Sequence, residues 1–251
     1  MGGDPVAWRS WRRGVAGDLS GAEILDAVKA GRIWLNLRAV NQHDKAYAEL
    51  ADAVFGEVEA RIGRRTLRRD IGLLISSPHV QVFYHLDVPL VMLWQLRGSK
   101  TVWLYPPCAP FVDEAQIERI VLKETAEQFD YDPAWDASAE RVVLKPGMMV
   151  TWPQNAPHRI ENGGMMNVSL SMEFMTPAAL MRANVLYTNG MLRRTFGARP
   201  ALHSAPDPRA LAKVAAARAW KAFRPGERAR DPLPVTFSIG SDGAIQELES
   251  A

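Results

Sequence analysis

In the segment Met165 to Phe174, residues from Met166 onward alternate without a break. Asn167, Ser169, Ser171 and Glu173 share one parity, and Met166, Val168, Leu170 and Met172 share the other. Successive side chains of a β-strand point to opposite faces, so the segment reads as a strand with one polar and one apolar side. The apolar side needs a cover, which packed helices would supply. The polar side then faces either solvent or the inside of a barrel. Further short strands are read at Gly72 to Ser76, Val80 to Asp87, Leu90 to Leu96, Thr101 to Tyr105, Arg141 to Leu144 and Met148 to Trp152. Arg97-Gly98-Ser99, Pro146-Gly147 and Asn162-Gly163-Gly164 are turn signals between them. Many short strands separated by such turns predict a sandwich or a barrel.

Helices are read on both sides of this β region. Ser20 and Glu23 form a capping box ahead of Ile24, Leu25 and Val28, with Gly31 as the C-cap. Ile33 to Leu37 reads as a strand, and Asp44 to Ile62 as a second helix with apolar residues at helical spacing. If that helix ran on, Arg61, Arg64, Arg65, Arg68 and Arg69 would share a face, either solvated or turned toward an anion or RNA. Pro106 to Ala139 interrupts the strands, with a helix expected over Val112 to Phe129. Thr176-Pro177 and Asp207-Pro208 each start a helix, and Val235 to Ile239 reads as an edge strand. The chain therefore divides into a helix-and-strand segment (1–69), a β core (70–175, insertion 106–139) and a helical extension (176–251).

The 251 residues bury about three quarters of their unfolded surface, so the core needs no staples. A formal charge of +2 implies no strongly acidic partner, and the single cysteine, Cys108, excludes an internal disulfide and fits a reducing compartment. No signal-peptide pattern is seen. The longest apolar run, Val88 to Trp94, is far short of a bilayer span. A cytoplasmic protein without a membrane segment is expected.

The chemistry-bearing stretch is His79-Val80-Gln81-Val82-Phe83-Tyr84-His85-Leu86-Asp87. On a strand His85 and Asp87 point the same way, and His158, 71 positions after Asp87, can close a triangle. Two imidazoles and one carboxylate leave other positions of a metal open, which is the ligand set of non-haem Fe(II) oxygenases. A lone histidine of this kind is equally a hydrogen-bonded core residue. His79 and Gln81 share parity with His85, so on an unbroken strand they would line the mouth of the same cavity as substrate contacts. Lys100 follows the turn at Gly98 and starts a strand whose alternate residues, Val102 and Leu104, are apolar. A lysine on an inward face is costly unless paired, so an anion there would relieve it; the other placement is a surface hairpin tip.

The run Phe83 to Pro89, then Val91 to Pro107, Leu144 to Pro153 and Pro157 to Asn162, resembles the cupin-like branch of the Jumonji-C oxygenases, nearest to its asparaginyl-hydroxylase-like members. The resemblance covers about residues 71 to 175. It implies a mainly β protein with flanking helices, built on a double-stranded β-helix, with Fe(II) on His85, Asp87 and His158 and with 2-oxoglutarate as co-substrate. It also implies that Lys100, 13 positions after Asp87, holds the distal carboxylate. Ser169 and Ser171 are then candidates to bond the co-substrate. Two positions depart from the pattern: Val82 stands where those hydroxylases have a hydroxyl residue and Val91 where they have an amide. The other co-substrate contacts must come from elsewhere.

The expected activity is a 2-oxoglutarate-dependent dioxygenase, a hydroxylase. Its rivals are a metallo-cupin enzyme that does not use 2-oxoglutarate and a non-catalytic cupin-fold binding or scaffold module. The substrate is left open among protein side chains, small metabolites, peptides and RNA bases. Since Jumonji-C proteins often dimerise through C-terminal helices, the resemblance also implies a homodimer formed through the helices after Thr176.

Overall fold

The computed structural model describes residues 12–31, 33–198, 200–202, 207–223, 235–240 and 244–248. Three helices and two strands precede the β core: β1 (Arg13–Val15), α1 (Gly21–Ala30), β2 (Trp34–Leu37), α2 (Val40–His43) and α3 (Lys45–Ile62). The Ser20–Glu23 capping box is made in both directions. Asp44 caps α3, and Gly63, at φ +64°, ends it in the left-handed region that glycine occupies without steric cost. The arginines beyond it share no helical face. Arg69 instead bonds Glu59 at 2.5 Å and lies over the Phe55 ring, and Arg61 pairs with Glu57 on the helix.

Eight strands build the core: β3 (Leu67–Ser76), β4 (Gln81–His85), β5 (Leu90–Arg97), β6 (Lys100–Leu104), β7 (Glu140–Leu144), β8 (Met149–Thr151), β9 (His158–Asn162) and β10 (Asn167–Met175). One sheet has the order β2-β3-β10-β5-β8 and the other β4-β9-β6-β7, all pairs antiparallel. Consecutive core strands alternate between the sheets up to β6, pair once at β6–β7, and alternate back from β8 to β10. The result is a double-stranded β-helix, a jelly roll with flanking helices. Strand β9 is the distant strand expected to carry His158, but its bounds are not read from the sequence; its pattern, His-Arg-Ile-Glu-Asn, has one aliphatic residue.

The predicted alternation of β10 decides which face is which. Leu170, Met172 and Phe174 pack outward with Ile71 and Met92 against Ala51 and Phe55 of α3. Asn167 and Ser169, both fully buried, therefore face inward. The inner apolar layer is Val91, Leu93, Val102, Leu144, Trp152 and Ile160.

Two elements differ from expectation. The insertion helix, α4 (Glu114–Val121), stops well short of Phe129, because Lys123 adopts a left-handed φ of 61°. The chain then runs beside β4, with Leu86 N–H donating to the Glu127 carbonyl at 3.3 Å. Strand β11 (Val235–Ile239) is no edge strand: it lies between β1 and β12 (Ile245–Glu247). Helices α5 (Pro177–Phe196) and α6 (Pro208–Phe223) follow the core and pack on each other. Among the described residues no helix is long and apolar enough to cross a membrane.

Phe55 is fully buried and meets Phe174 edge-on at 5.6 Å. Phe55→Ala should cost about 3–5 kcal/mol of stability, read as a lowered urea midpoint at unchanged slope. A loss below about 1 kcal/mol would show that α3 does not cover this sheet.

Candidate metal centre

The barrel brings three predicted residues to one point. His85 ends β4, His158 begins β9, and the two are directly opposite in the β4–β9 register. Asp87 follows on the loop to β5. One ligand atom from each lies within 4.8 Å of the others. His158 Nε2 is 3.4 Å from Asp87 Oδ2, and His85 Nε2 is 4.0 Å from Oδ1.

The backbone sets the tautomers. His85 Nδ1 lies 2.7 Å from the Phe83 carbonyl and His158 Nδ1 3.1 Å from the Ala156 carbonyl. A carbonyl only accepts, so each Nδ1 carries the proton and each Nε2 presents a lone pair to Asp87. Burial, with His85 beside it, holds His158 well below the usual histidine range. Burial also pushes the Asp87 carboxyl up, against the opposing pull of His85, Arg38 and a hydrogen bond from Trp152. Two lone pairs and a carboxylate converging in a dry place repel one another unless a cation sits between them. The donor set thus fits a metal of the borderline class that imidazole and carboxylate suit.

Three residues that sequence reasoning left as packing or did not mention hold this arrangement. Trp152 donates to Asp87 and stacks 4.3 Å from the His158 ring. Asn155, 1% exposed and at φ 63°, donates to the Asp87 carbonyl at 3.2 Å and accepts from Arg182 of α5. Gln154 donates to the Val88 carbonyl at 2.9 Å and to the Ala179 carbonyl of α5 at 3.2 Å. Asparagine tolerates the left-handed region better than most residues, and that was the only signal Asn155 carried.

At the mouth, Arg38 reaches Glu173 at 3.4 Å and Asp70 at 3.6 Å. Burial pushes Glu173 up to about 7, although Arg38 pulls the other way. Deeper inside, Lys100 is 4% exposed. It sits opposite Asn162 and Leu144, four residues along β6 from Leu104, the partner of His158. Among the described residues its ammonium has no hydrogen-bonded or ion-paired partner. Ser169 shares this polar end but donates to Gln95 Oε1 at 2.7 Å, and Gln95 donates on to Asn167 at 2.8 Å. Ser171 is half-buried on the same face, opposite Gly72 and Leu93.

His79 and Gln81 lie elsewhere. The register of β4 shifts between Val82 and His85, so the parity that tied them to His85 is lost. Gln81 is exposed opposite Glu161. His79 sits in a turn at φ 58° beside Gly163 and Gly164. It lies outside β4, which begins at Gln81.

A five-stranded and a four-stranded sheet whose eight core strands run in jelly-roll order, with His85, Asp87 and His158 gathered at one end, settle the architecture. The chain has the cupin fold. No protein-family model matches the sequence, and no curated protein matches it. Solved structures do. YcfD from Escherichia coli, described as a ribosomal oxygenase in complex with cobalt and 2-oxoglutarate, is 17% identical over 82% of this chain and 54% of its own, with a TM-score of 0.41. A second YcfD structure gives 18% identity over 77% and 49%, also at 0.41. A cupin superfamily protein from Desulfitobacterium hafniense is 14% identical over 43% of this chain and 68% of its own, at 0.27. The chain spans about half the length of the YcfD structures it matches.

Removing the Asp87 carboxylate leaves two imidazoles, so Asp87→Ala should bind a divalent transition metal far more weakly than the wild type. Trp152→Phe removes only the donor to Asp87 and should lower metal affinity roughly 10- to 100-fold. Anaerobic competition with a chromophoric chelator reads both. Equal retention by wild type and Asp87→Ala would dismiss the triad as a metal site.

Proposed function

We propose that the chain is an Fe(II)- and 2-oxoglutarate-dependent oxygenase, a hydroxylase. The observation that carries this reading is the pairing of two features in one barrel: a converging His85, Asp87 and His158, and a buried Lys100 that has no anion among the described residues. His85, Asp87 and His158 would hold the iron, and bound there it would couple oxidative decarboxylation of 2-oxoglutarate by O2 to oxidation of a second substrate.

The chain's own part is to bind, orient and keep dry. Burial lowers Lys100 to about 8, so folding with the ammonium charged costs about 3 kcal/mol relative to an exposed lysine. That cost is present below pH about 8 and fades as the pH rises toward the ordinary lysine value. A carboxylate beside Lys100 offsets it, as the distal carboxylate of 2-oxoglutarate would. The four residues from Lys100 to Leu104 cover about 13 Å along the strand, and a lysine side chain plus a five-carbon dicarboxylate fit that length. Between the two ends, Val102, Ile160 and Leu93 exclude water. Val82 and Val91 also belong to this apolar layer, so the polar contacts at the far end fall to Gln95, Asn162 and the β10 serines. Since the Ser169 hydroxyl already donates to Gln95, it would have to turn to serve a carboxylate.

Lys100→Ala should weaken 2-oxoglutarate binding about 10- to 150-fold, the effect of losing one charge-assisted contact of roughly 1.5–3 kcal/mol, while leaving metal affinity nearly intact. Calorimetric titration into anaerobic Mn(II)-loaded protein measures it. Equal binding by both proteins would strip Lys100 of its role, and no binding by either would favour a metallo-cupin that works without 2-oxoglutarate.

The titration of Lys100 adds a pH signature. Below about 8 the ammonium is ready for a dicarboxylate; above it, binding must first take up a proton. Raising the pH from about 7 to about 9 should weaken wild-type binding roughly tenfold and leave Lys100→Ala flat. Parallel curves for the two proteins would place the titrating group elsewhere.

A further inference from the structure

Two buried polar groups at the far end of the barrel lack a partner, and they stand on paired positions. Lys100 and Asn162 are directly opposite in the β6–β9 register, so their side chains leave the same face of the sheet with Cβ atoms about 4.5–5.5 Å apart. Lys100 is 4% exposed and Asn162 8%. The Lys100 ammonium offers only donors and, among the described residues, makes no hydrogen bond or ion pair. Asn162 Oδ1, an acceptor, is buried with no donor on it.

The Asn162 amide is locked in this orientation. Its nitrogen donates to Ser76 Oγ at 2.7 Å and to the Ser77 carbonyl at 3.1 Å. A carbonyl only accepts, so the nitrogen stays on that side and the oxygen on the other. Ser77 is itself tied to Ile33 through its hydroxyl and its N–H. The backbone fixes the spacing of the pair. Asn162 N–H donates to the Val80 carbonyl at 3.0 Å, and Gly163 N–H to the Ser99 carbonyl at 2.8 Å. A Cβ at Gly163 would lie 2.7 Å from Ser99 Oγ, so this approach requires glycine. The neighbouring amide oxygens are already bonded: Gln95 Oε1 accepts from Ser169, and Asn167 Oδ1 from Gln95. Burial alone acts on the Lys100 charge, with no charged side chain contributing.

We propose that Asn162 is a positioning residue for Lys100: its Oδ1 takes one N–H of the ammonium and turns the other two toward an anion at this end of the barrel. Buried donors and acceptors pair where geometry allows. The flexible four-carbon stem of lysine brings its ammonium within reach of a cross-strand neighbour. The Asn162 share of the polar contacts at the far end is then made through the lysine, because a bare amide oxygen repels a carboxylate. That the anion is 2-oxoglutarate rests on the oxygenase reading; the contact between Lys100 and Asn162 does not.

Two measurements test it. In the full chain without metal or ligand, carbon-13 NMR of labelled lysine follows the Lys100 ammonium across pH, its signal identified by its absence from Lys100→Arg. The wild-type midpoint of about 8 should fall by about one pH unit in Asn162→Leu, which loses the acceptor. It should rise toward the ordinary lysine value in Asn162→Asp, which sets a carboxylate beside the ammonium. The second measurement is a double-mutant cycle, read by titrating 2-oxoglutarate into anaerobic Mn(II)-loaded protein. Asn162→Leu should weaken binding about tenfold or more in the wild type, and less than about twofold where Lys100 is already alanine. Thermal melts check folding, and Asn162→Ala replaces either variant that does not fold. An unchanged Lys100 midpoint in Asn162→Leu overturns the proposal. So does an equal loss of binding in both backgrounds, which would make Asn162 a wall of the pocket. If 2-oxoglutarate binds none of the proteins, the oxygenase reading falls and the lysine titration still decides.

Discussion

The centre depends on a small irregularity in one strand. Val82 packs with the inner apolar layer and His85 meets His158, although they stand three positions apart and a regular strand would turn them to opposite faces. The register shift between them reconciles the two. It also turns Tyr84 outward, where it meets Tyr105, Phe129 and Tyr131 at 4.9 to 5.2 Å. That aromatic cluster fastens the insertion to the outside of the barrel. A single local departure thus aims a ligand inward and an anchor outward.

Inside the barrel the polar groups are sorted by sign. Acceptors gather at one end, in His85, Asp87, His158 and Glu173, and a lone ammonium stands at the other. An apolar layer lies between. In such a medium each group feels its own desolvation more than the opposite charge, which is why Asp87 rises and Lys100 falls. Both ends of the barrel are therefore buried at an electrostatic cost.

Much of this was legible in the sequence, for identifiable reasons. Strict alternation marked the two faces of β10, and the apolar neighbours Val102 and Leu104 made an inward position one of the two placements read for Lys100. Capping residues set the starts of α1 and α5, and apolar residues at helical spacing marked α3. The spacing of His85, Asp87 and His158 agrees with the geometry found. What failed was whatever depended on continuity. Parity carried from His85 back to His79 through a strand that is broken, and the insertion helix was extended past a lysine that takes a left-handed conformation. Trp152 and Asn155 were invisible as partners of Asp87 because their contacts are set by tertiary approach, not by spacing. Strand β9, with one aliphatic residue, offered no hydrophobic period to read.

Gln154 has a wider consequence. One amide group bonds both the Val88 carbonyl beside the metal loop and the Ala179 carbonyl in the first turn of α5. Arg182 repeats the connection through Asn155. The C-terminal helices are therefore thermodynamically linked to the ligand loop. Whatever steadies α5 steadies Asp87, and by reciprocity an ion on Asp87 must tighten the seating of α5. Four side-chain hydrogen bonds thus cross or adjoin the boundary drawn at Thr176.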